Sequence, residues 1–261
     1  MTLNTRFLTA AFLVLLAAFS DPASAQSGKP TIVLVHGEFA ESSSWDAVVG
    51  ELLAVGYPVI AAANPLRGVK IDADYVASIL SGIKGPIVLV GHSYGGNVIT
   101  NAVNGNRNVK ALVYVAAFAP DKGESAAELC RRYPGGSLVA MLAPPVVLPG
   151  GAKDLYIRQD KFGAQFDADV ASKYTKVMAA TQRPIAEAAL NEASGVPAWK
   201  TTPSWFIYGD LDQNIPQAAL AFMAKRAASK ETVVVKDASH FVMVSRPDAV
   251  VDLIRRAAAA G

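Results

Sequence analysis

A single cysteine, Cys130, stands among the 261 residues. No internal disulfide framework and no CxxC metal knuckle can form from it. Histidine is almost as scarce, with only His36, His92 and His240 present. A zinc site would have to use nearly all of them, and none falls in an H-E-x-x-H spacing. Charge of one sign is lacking too: 24 Lys plus Arg face 22 Asp plus Glu, a net +2. Without a basic stripe or a block of like charges, the chain carries no electrostatic footprint for nucleic acid. No P-loop and no dinucleotide fingerprint occurs in place, so no metal, nucleotide or haem cofactor is implied. What the chain does have is apolar material, 52% of residues against 18% charged. That balance excludes intrinsic disorder and allows one large or two small domains with a sizeable core.

Long hydrophobic runs are also missing. The longest, Phe7 to Phe19, spans 13 residues, short of the roughly 20 that cross a bilayer. Arg6 precedes it, Asp21 and Pro22 end it, and Ala23-Ser24-Ala25 places small residues where a signal peptidase reads. Residues 1–25 are therefore expected to be a signal peptide, with an N-terminal anchor or a buried helix as the alternative. Cleavage would release an exported chain, periplasmic or extracellular, with no stable membrane anchor. Cys130 would then sit in an oxidising compartment, where a small buried hydrophobe is the expected role.

After residue 26 short apolar runs alternate with amphipathic ones. Thr31–Val35, Pro58–Ala62, Ile87–Val90, Ala111–Val115, Trp205–Tyr208 and Thr232–Val235 predict strands covered on both faces, as in a parallel sheet. Ser44–Val55, Ile71–Ile83, Gly96–Asn104, Gln217–Ala228 and Pro247–Ala259 predict helices, with Ser44 as an N-cap and Pro247 in a first turn. The rhythm is βαβα, an α/β architecture with helices on both faces of the sheet. One stretch, residues 119–199, interrupts it. Pro134-Gly135-Gly136, Pro144-Pro145 and Pro149-Gly150-Gly151 punctuate this stretch, no core strand stands out, and helical pieces are predicted over Asp167–Thr181 and Pro184–Ala193. An insertion of that length is too long for an ordinary loop. It reads as a cap over the sheet's carboxyl edge, placed after the fourth core strand, with 26–118 and 200–261 as the core.

Ile87-Val88-Leu89-Val90 runs directly into Gly91-His92-Ser93-Tyr94-Gly95-Gly96 and then a helical stretch. This is G-x-S-x-G between a strand and a helix, where the serine sits on a strained turn with its hydroxyl exposed. The glycines are required because side chains beside the turn would strike strand and helix. With these residues the chain resembles the α/β-hydrolase superfamily. Val33-Leu34-Val35-His36-Gly37 matches the end of that family's first core strand. Gly209-Asp210-Leu211-Asp212-Gln213-Asn214-Ile215-Pro216 matches its G-x-x-D-x-x-x-P acid loop, and His240 follows the last strand. His36-Gly37-Glu38-Phe39-Ala40 leading to Ser44-Trp45, with His240-Phe241-Val242-Met243, is similar to a narrower group. That group comprises small cofactor-free bacterial carboxylesterases and plant methylesterases, with the related hydroxynitrile lyases.

The resemblance implies roles. Ser93 is the nucleophile. Its hydroxyl is weak near neutral pH and needs a base, and His240 is that base by elimination as well as by motif. His36 is structural in the family, and His92 is the variable residue of the elbow. Asp212 matches the acid that orients the imidazole, with Asp210 as the alternative and Asp237 read as a solvated loop residue. Backbone N–H groups of Glu38 and Tyr94 form the oxyanion hole, with Phe39 as a second-line donor. A glutamate at 38 is odd beside a developing oxyanion. Either its side chain points to solvent, the favoured reading, or it binds a cationic or hydroxylated part of the substrate. Phe39, Phe241, Tyr156 and Phe162, and also Met141, Leu142, Phe166 and Met178, are candidates to line the substrate pocket. Arg131 and Arg132 read as a solvated pair.

The implied activity is hydrolysis of a small-molecule carboxylic ester, or a lactone or amide, through an acyl-enzyme on Ser93. The alternatives are cyanohydrin cleavage on the same three residues and a non-catalytic ligand-binding member of the fold. A haloalkane dehalogenase would need a carboxylate at position 93. Plant lyases of this group carry a lysine directly after the catalytic histidine, whereas this chain has Phe241, which favours the ester.

Overall fold

The apolar runs become the centre of a parallel sheet. A computed structural model of the chain describes residues 28–103 and 105–260; the expected signal peptide lies outside the described residues. In chain order the first half holds β1 (Thr31–Val35), α1 (Asp46–Ala54), β2 (Val59–Ala62), α2 (Val69–Ser81), β3 (Ile87–His92), α3 (Gly95–Ala102) and β4 (Val109–Val115). An insertion follows with α4 (Ala126–Arg132), α5 (Leu138–Met141), β5 (Val146–Val147), β6 (Lys153–Leu155), α6 (Gln159–Phe166), α7 (Ser172–Thr181), β7 (Ile185–Ala186) and α8 (Glu187–Asn191). The chain then returns through β8 (Ser204–Gly209), α9 (Gln217–Arg226), β9 (Glu231–Val235), α10 (Val242–Ser245) and α11 (Pro247–Ala260).

The main sheet has the order β2-β1-β3-β4-β8-β9, and every neighbouring pair runs parallel. Ile32 to Val35, all of β3 and all of β8 are buried, as continuous apolar strands require. β9 differs from its expected two-sided burial. It is an edge strand whose residues alternate between partly buried and exposed. The chain first moves from β1 to β2 on one side, then crosses back past β1 to β3 and onward. With right-handed crossovers this reversal puts α1 and α2 on opposite faces. Accordingly α1 packs on α11, and α2 packs on α3. The reversal also parts the loops after β1 and β3, opening a crevice at their carboxyl ends.

Ser44 does not cap α1. It lies inside a short 3₁₀ turn, Ser42–Trp45, and its hydroxyl donates back to the Glu41 carbonyl at 2.6 Å. Within the insertion the expected helix 167–181 begins only at Ser172, and the 184–193 stretch opens as a strand, Ile185–Ala186, before α8. β5, β6 and β7 form a separate three-stranded antiparallel sheet. Among the described residues no helix is long and apolar enough to cross a membrane.

Candidate active site

The elbow after β3 is built as its glycines require. Ser93 has φ of +53°, a left-handed conformation that a residue with a Cβ adopts only under constraint. The constraints are visible. The Ser93 N–H donates to the Val115 carbonyl at 3.3 Å, and its carbonyl accepts from Gly96 at 2.9 Å and Phe118 at 3.2 Å. A Cβ on Gly91 would lie 2.6 Å from the Gly95 carbonyl oxygen, and one on Gly95 would collide with that of Val35. The turn closes only with glycine at these two positions.

Asp212, His240 and Ser93 meet over the carboxyl ends of the strands. His240 Nδ1 lies 2.7 Å from Asp212 Oδ2, and Nε2 lies 2.9 Å from Ser93 Oγ. Asp212 Oδ1 accepts the backbone N–H of Asn214 at 2.8 Å and of Ile215 at 3.0 Å, so both carboxylate oxygens are engaged. Asp210, the alternative acid, has its own Oδ1 buried without a partner and does not reach the imidazole. Asp237 is exposed. The three residues span 147 positions yet form one relay, and Ser93 and His240 are fully buried. The geometry is that of a hydroxyl, a base within reach of its proton, and an acid that fixes the base's orientation.

The other two histidines are structural. Asn64 donates its N–H to His36 Nε2 at 3.1 Å, so the proton sits on Nδ1, which donates to the Gly37 carbonyl at 2.9 Å. Burial, which outweighs that bond, lowers the His36 value to about 4 and keeps the ring neutral. His92 lies behind His240 with ring centroids 4.7 Å apart. Burial, then the neighbouring His240, holds its value well below the usual imidazole range. Its Nε2 lies 3.2 Å from the His240 carbonyl oxygen.

Two features of the hole around Ser93 were beyond the sequence. Tyr94 is wholly buried, and its hydroxyl donates to Asp72 Oδ2 at 2.9 Å, while Asp72 also accepts the Arg67 N–H at 3.0 Å. That clamp fixes the peptide that carries the Tyr94 N–H. Burial above all raises the Asp72 carboxyl above its ordinary value. The second feature corrects an expectation. Glu38 does not point to solvent: it is 2% exposed, and its Oε2 accepts from Ser93 Oγ and from the Tyr94 N–H, each at 3.0 Å. The carboxylate occupies the hole expected to receive a substrate oxygen. The Phe39 N–H, the second-line donor, is spent on the Arg183 carbonyl at 3.1 Å.

A cavity of about 410 Å³ adjoins the site, within the range that holds small-molecule ligands. Glu38 and Asn214 line one part of it, and Ala126, Ala127, Cys130 and Arg131 of α4 line another. None of the four expected pocket residues lines it. Phe162 and Phe241 are packed in the core on Phe166, and Phe39 sits edge-on to the same ring. Phe39, Phe241 and Met178 border a separate crevice of only about 10 Å³. Tyr156, Met141 and Leu142 also lie outside the cavity lining. Cys130 does border the cavity; burial pushes its thiol up to about 12, which keeps it unreactive. Arg132 pairs with Glu124 at 2.9 Å, leaving Arg131 as the arginine on the cavity wall.

Known proteins resemble this chain in sequence and in fold. "Alpha/beta hydrolase nvfD" of Aspergillus novofumigatus is 26% identical over a match covering 88% of this chain and 97% of that protein. "Probable hydrolase R7" of a Phoma species is 30% identical over 37% of this chain, a match that spans less than half of that relative, 46%. Among solved structures, polyneuridine aldehyde esterase superposes with a TM-score of 0.76 at 15% identity, covering 87% of this chain and 98% of that one. Residues 32–253 match the profile of the alpha/beta hydrolase family, and the chain belongs to that family.

Proposed function

We propose that this hydrolase is a serine esterase, in which Ser93 forms an acyl-enzyme with a carboxylic ester. The observation that carries the reading is the buried relay on a strained elbow, with 2.7 Å from Asp212 to His240 and 2.9 Å from His240 to Ser93. In the first step Ser93 Oγ attacks the ester carbon while His240 Nε2 takes the hydroxyl proton. Asp212, held by two backbone N–H groups, keeps Nδ1 as the donor side of the ring. The Tyr94 and Glu38 N–H groups receive the oxyanion. The imidazolium then protonates the departing alkoxide, and a water activated by His240 releases the acid. The insertion serves as the cap that bounds the substrate cavity. The name of the structural neighbour polyneuridine aldehyde esterase supports an ester substrate.

Cyanohydrin cleavage fits less well. Phe241 holds the position of the plant lyases' lysine, and its ring packs on His92 and Phe166. It offers no cation to a departing cyanide. The decisive experiment treats the purified protein with a fluorophosphonate and with p-nitrophenyl and methyl esters of graded acyl length. Labelling at Ser93 and ester turnover that is lost in Ser93→Ala are the expected results. Cyanide release from mandelonitrile with negligible ester turnover would establish the lyase instead. Export belongs to the same proposal: intact-mass analysis of the secreted protein should give an N-terminus at Gln26, and a full-length, membrane-retained product would refute it.

A further inference from the structure

The nucleophile and the cavity do not touch. Ser93 is fully buried and absent from the cavity wall, whereas Glu38 both lines that wall and reaches Ser93 Oγ and the Tyr94 N–H at 3.0 Å. The carboxylate therefore stands between substrate space and the attacking atom. Two consequences follow from proton and donor counting. The Tyr94 N–H is a single donor, so while Glu38 Oε2 holds it, a substrate carbonyl cannot. Ser93 has one hydroxyl proton, so a proton directed at Glu38 is not directed at His240 Nε2. Glu38 has to leave this position for every turnover.

Its backbone cannot carry it away. Phe39 next to it has φ of +57° and donates its N–H to the Arg183 carbonyl, and Glu41 pairs with the Arg183 guanidinium at 3.0 Å through both oxygens. The side chain alone can rotate, and the space open to it is the cavity. There its surroundings are largely apolar: Phe118, Ala126, Leu138 and Leu190 border the same space. No lysine or arginine pairs with Glu38 among the described residues; Arg131, whose side chain is exposed to solvent, Tyr133 and Asn214 are the polar side chains on the same wall. A carboxylate turned from two hydrogen bonds into such a space is destabilised unless the incoming molecule supplies a donor.

We infer that Glu38 is a specificity-determining residue that selects esters bearing a hydrogen-bond donor, a hydroxyl or an ammonium, on the acyl carbon next to the scissile carbonyl. The substrate oxygen takes the Tyr94 N–H, the displaced carboxylate takes the neighbouring donor, and the Ser93 proton turns to His240. Esters lacking the donor meet the same carboxylate without compensation. This inference rests on the esterase reading and names its substrate class.

The test pairs methyl lactate with methyl propionate, which differ by one hydroxyl, on wild type, Glu38→Ala and the equal-sized Glu38→Gln. Fluorophosphonate labelling of Ser93 is followed in parallel by mass. The wild type should favour lactate by at least about tenfold in kcat/KM, and the preference should collapse in Glu38→Ala and weaken in Glu38→Gln, which keeps an acceptor but loses the charge. Glu38→Ala should label at least about tenfold faster, because the phosphoryl oxygen no longer competes with a side-chain acceptor for the Tyr94 N–H, whereas Glu38→Gln, whose amide oxygen still accepts that N–H, should fall between wild type and Glu38→Ala. Equal labelling rates across the three proteins, equal wild-type rates on the two esters, or a parallel loss of both esters in the variants would each overturn the assignment. Ester turnover that depends on Ser93 would leave the esterase reading standing in each of those cases. Absence of labelling in all three proteins would instead sink the nucleophile, and this inference with it.

Discussion

Asp212 illustrates how main chain fixes a carboxylate beside an imidazole. Its two N–H partners, from Asn214 and Ile215, come from the turn that follows it, so the acid is positioned by its own loop. Asp212→Asn should lower kcat by roughly 10⁴, because the amide stabilises the wrong imidazole tautomer, and Asp210→Asn by less than about tenfold. A swap of the two effects would move the acid by two residues. Ser93→Ala should lose about 10⁴-fold or more in kcat, His240→Ala about as much, and the double variant no more, since the pair acts as a unit. Steady-state kinetics on one p-nitrophenyl ester checks all five proteins. These three residues were legible because each stands in a motif whose spacing fixes its place in the fold. The direction of the Glu38 side chain was not. It depends on Phe39 adopting positive φ and on what Arg183, about 145 positions later in sequence, does to the loop.

At the level of elements, legibility followed length. The long periodic helices and the buried strands were found within about two residues at most ends, whereas strands of two or three residues in the insertion carry no periodicity to read. α4 could have been found: Ser125 and Glu128 form a capping box, with Glu128 N–H to Ser125 Oγ at 3.2 Å and Ser125 N–H to Glu128 Oε2 at 3.0 Å. The join between β3 and α3 gives a stability test. Gly95→Ala should cost about 3 kcal/mol or more in urea unfolding, since the added methyl meets backbone that cannot yield. The turn between α6 and α7 gives a pH test. Asp167 is 1% exposed, and burial first, then Asp169, raises its carboxyl to about 6 from an ordinary 3.8 against the opposing effect of a Thr175 hydrogen bond. A raised folded value means that ionisation opposes folding. The group is harmless below pH 4, and its cost grows as pH climbs toward 6 and is complete above it. Relative to wild type, Asp167→Asn should gain up to about 2 kcal/mol between pH 4 and pH 7. Parallel stability curves for the two proteins would mean that Asp167 does not titrate in this window.

Across the whole molecule, the site lies where the strand order reverses. The loops after β1 and β3 part there, and β8 and β9 bring Asp212 and His240 to the same edge. That location follows from chain order alone, whereas the shape of the roof does not. Of the expected pocket residues, Phe39 and Phe241 belong to the core and Tyr156 and Phe162 to the insertion, where Phe162 stacks on Phe166 at 5.1 Å and fills space. The cavity opens instead where the insertion carries small side chains: Ala126, Ala127, Gly135 and Gly136 all border it. Large residues consume volume in a close-packed interior, and room for a ligand is left by small ones. Ala127 is the position that exposes this logic. It is half-buried on α4, one turn before Arg131, and its methyl faces the cavity. Ala127→Phe should leave Ser93, Asp212 and His240 untouched and remove part of the 410 Å³. On a series of p-nitrophenyl esters from acetate to decanoate, kcat/KM for acetate should stay within about threefold of wild type. The longest acyl chains should lose on the order of 10- to 100-fold, the scale at which a hydrophobic pocket discriminates by size. A uniform loss across the series would show that the acyl chain binds elsewhere. An unchanged chain-length profile would show that this cavity is not where the substrate lies.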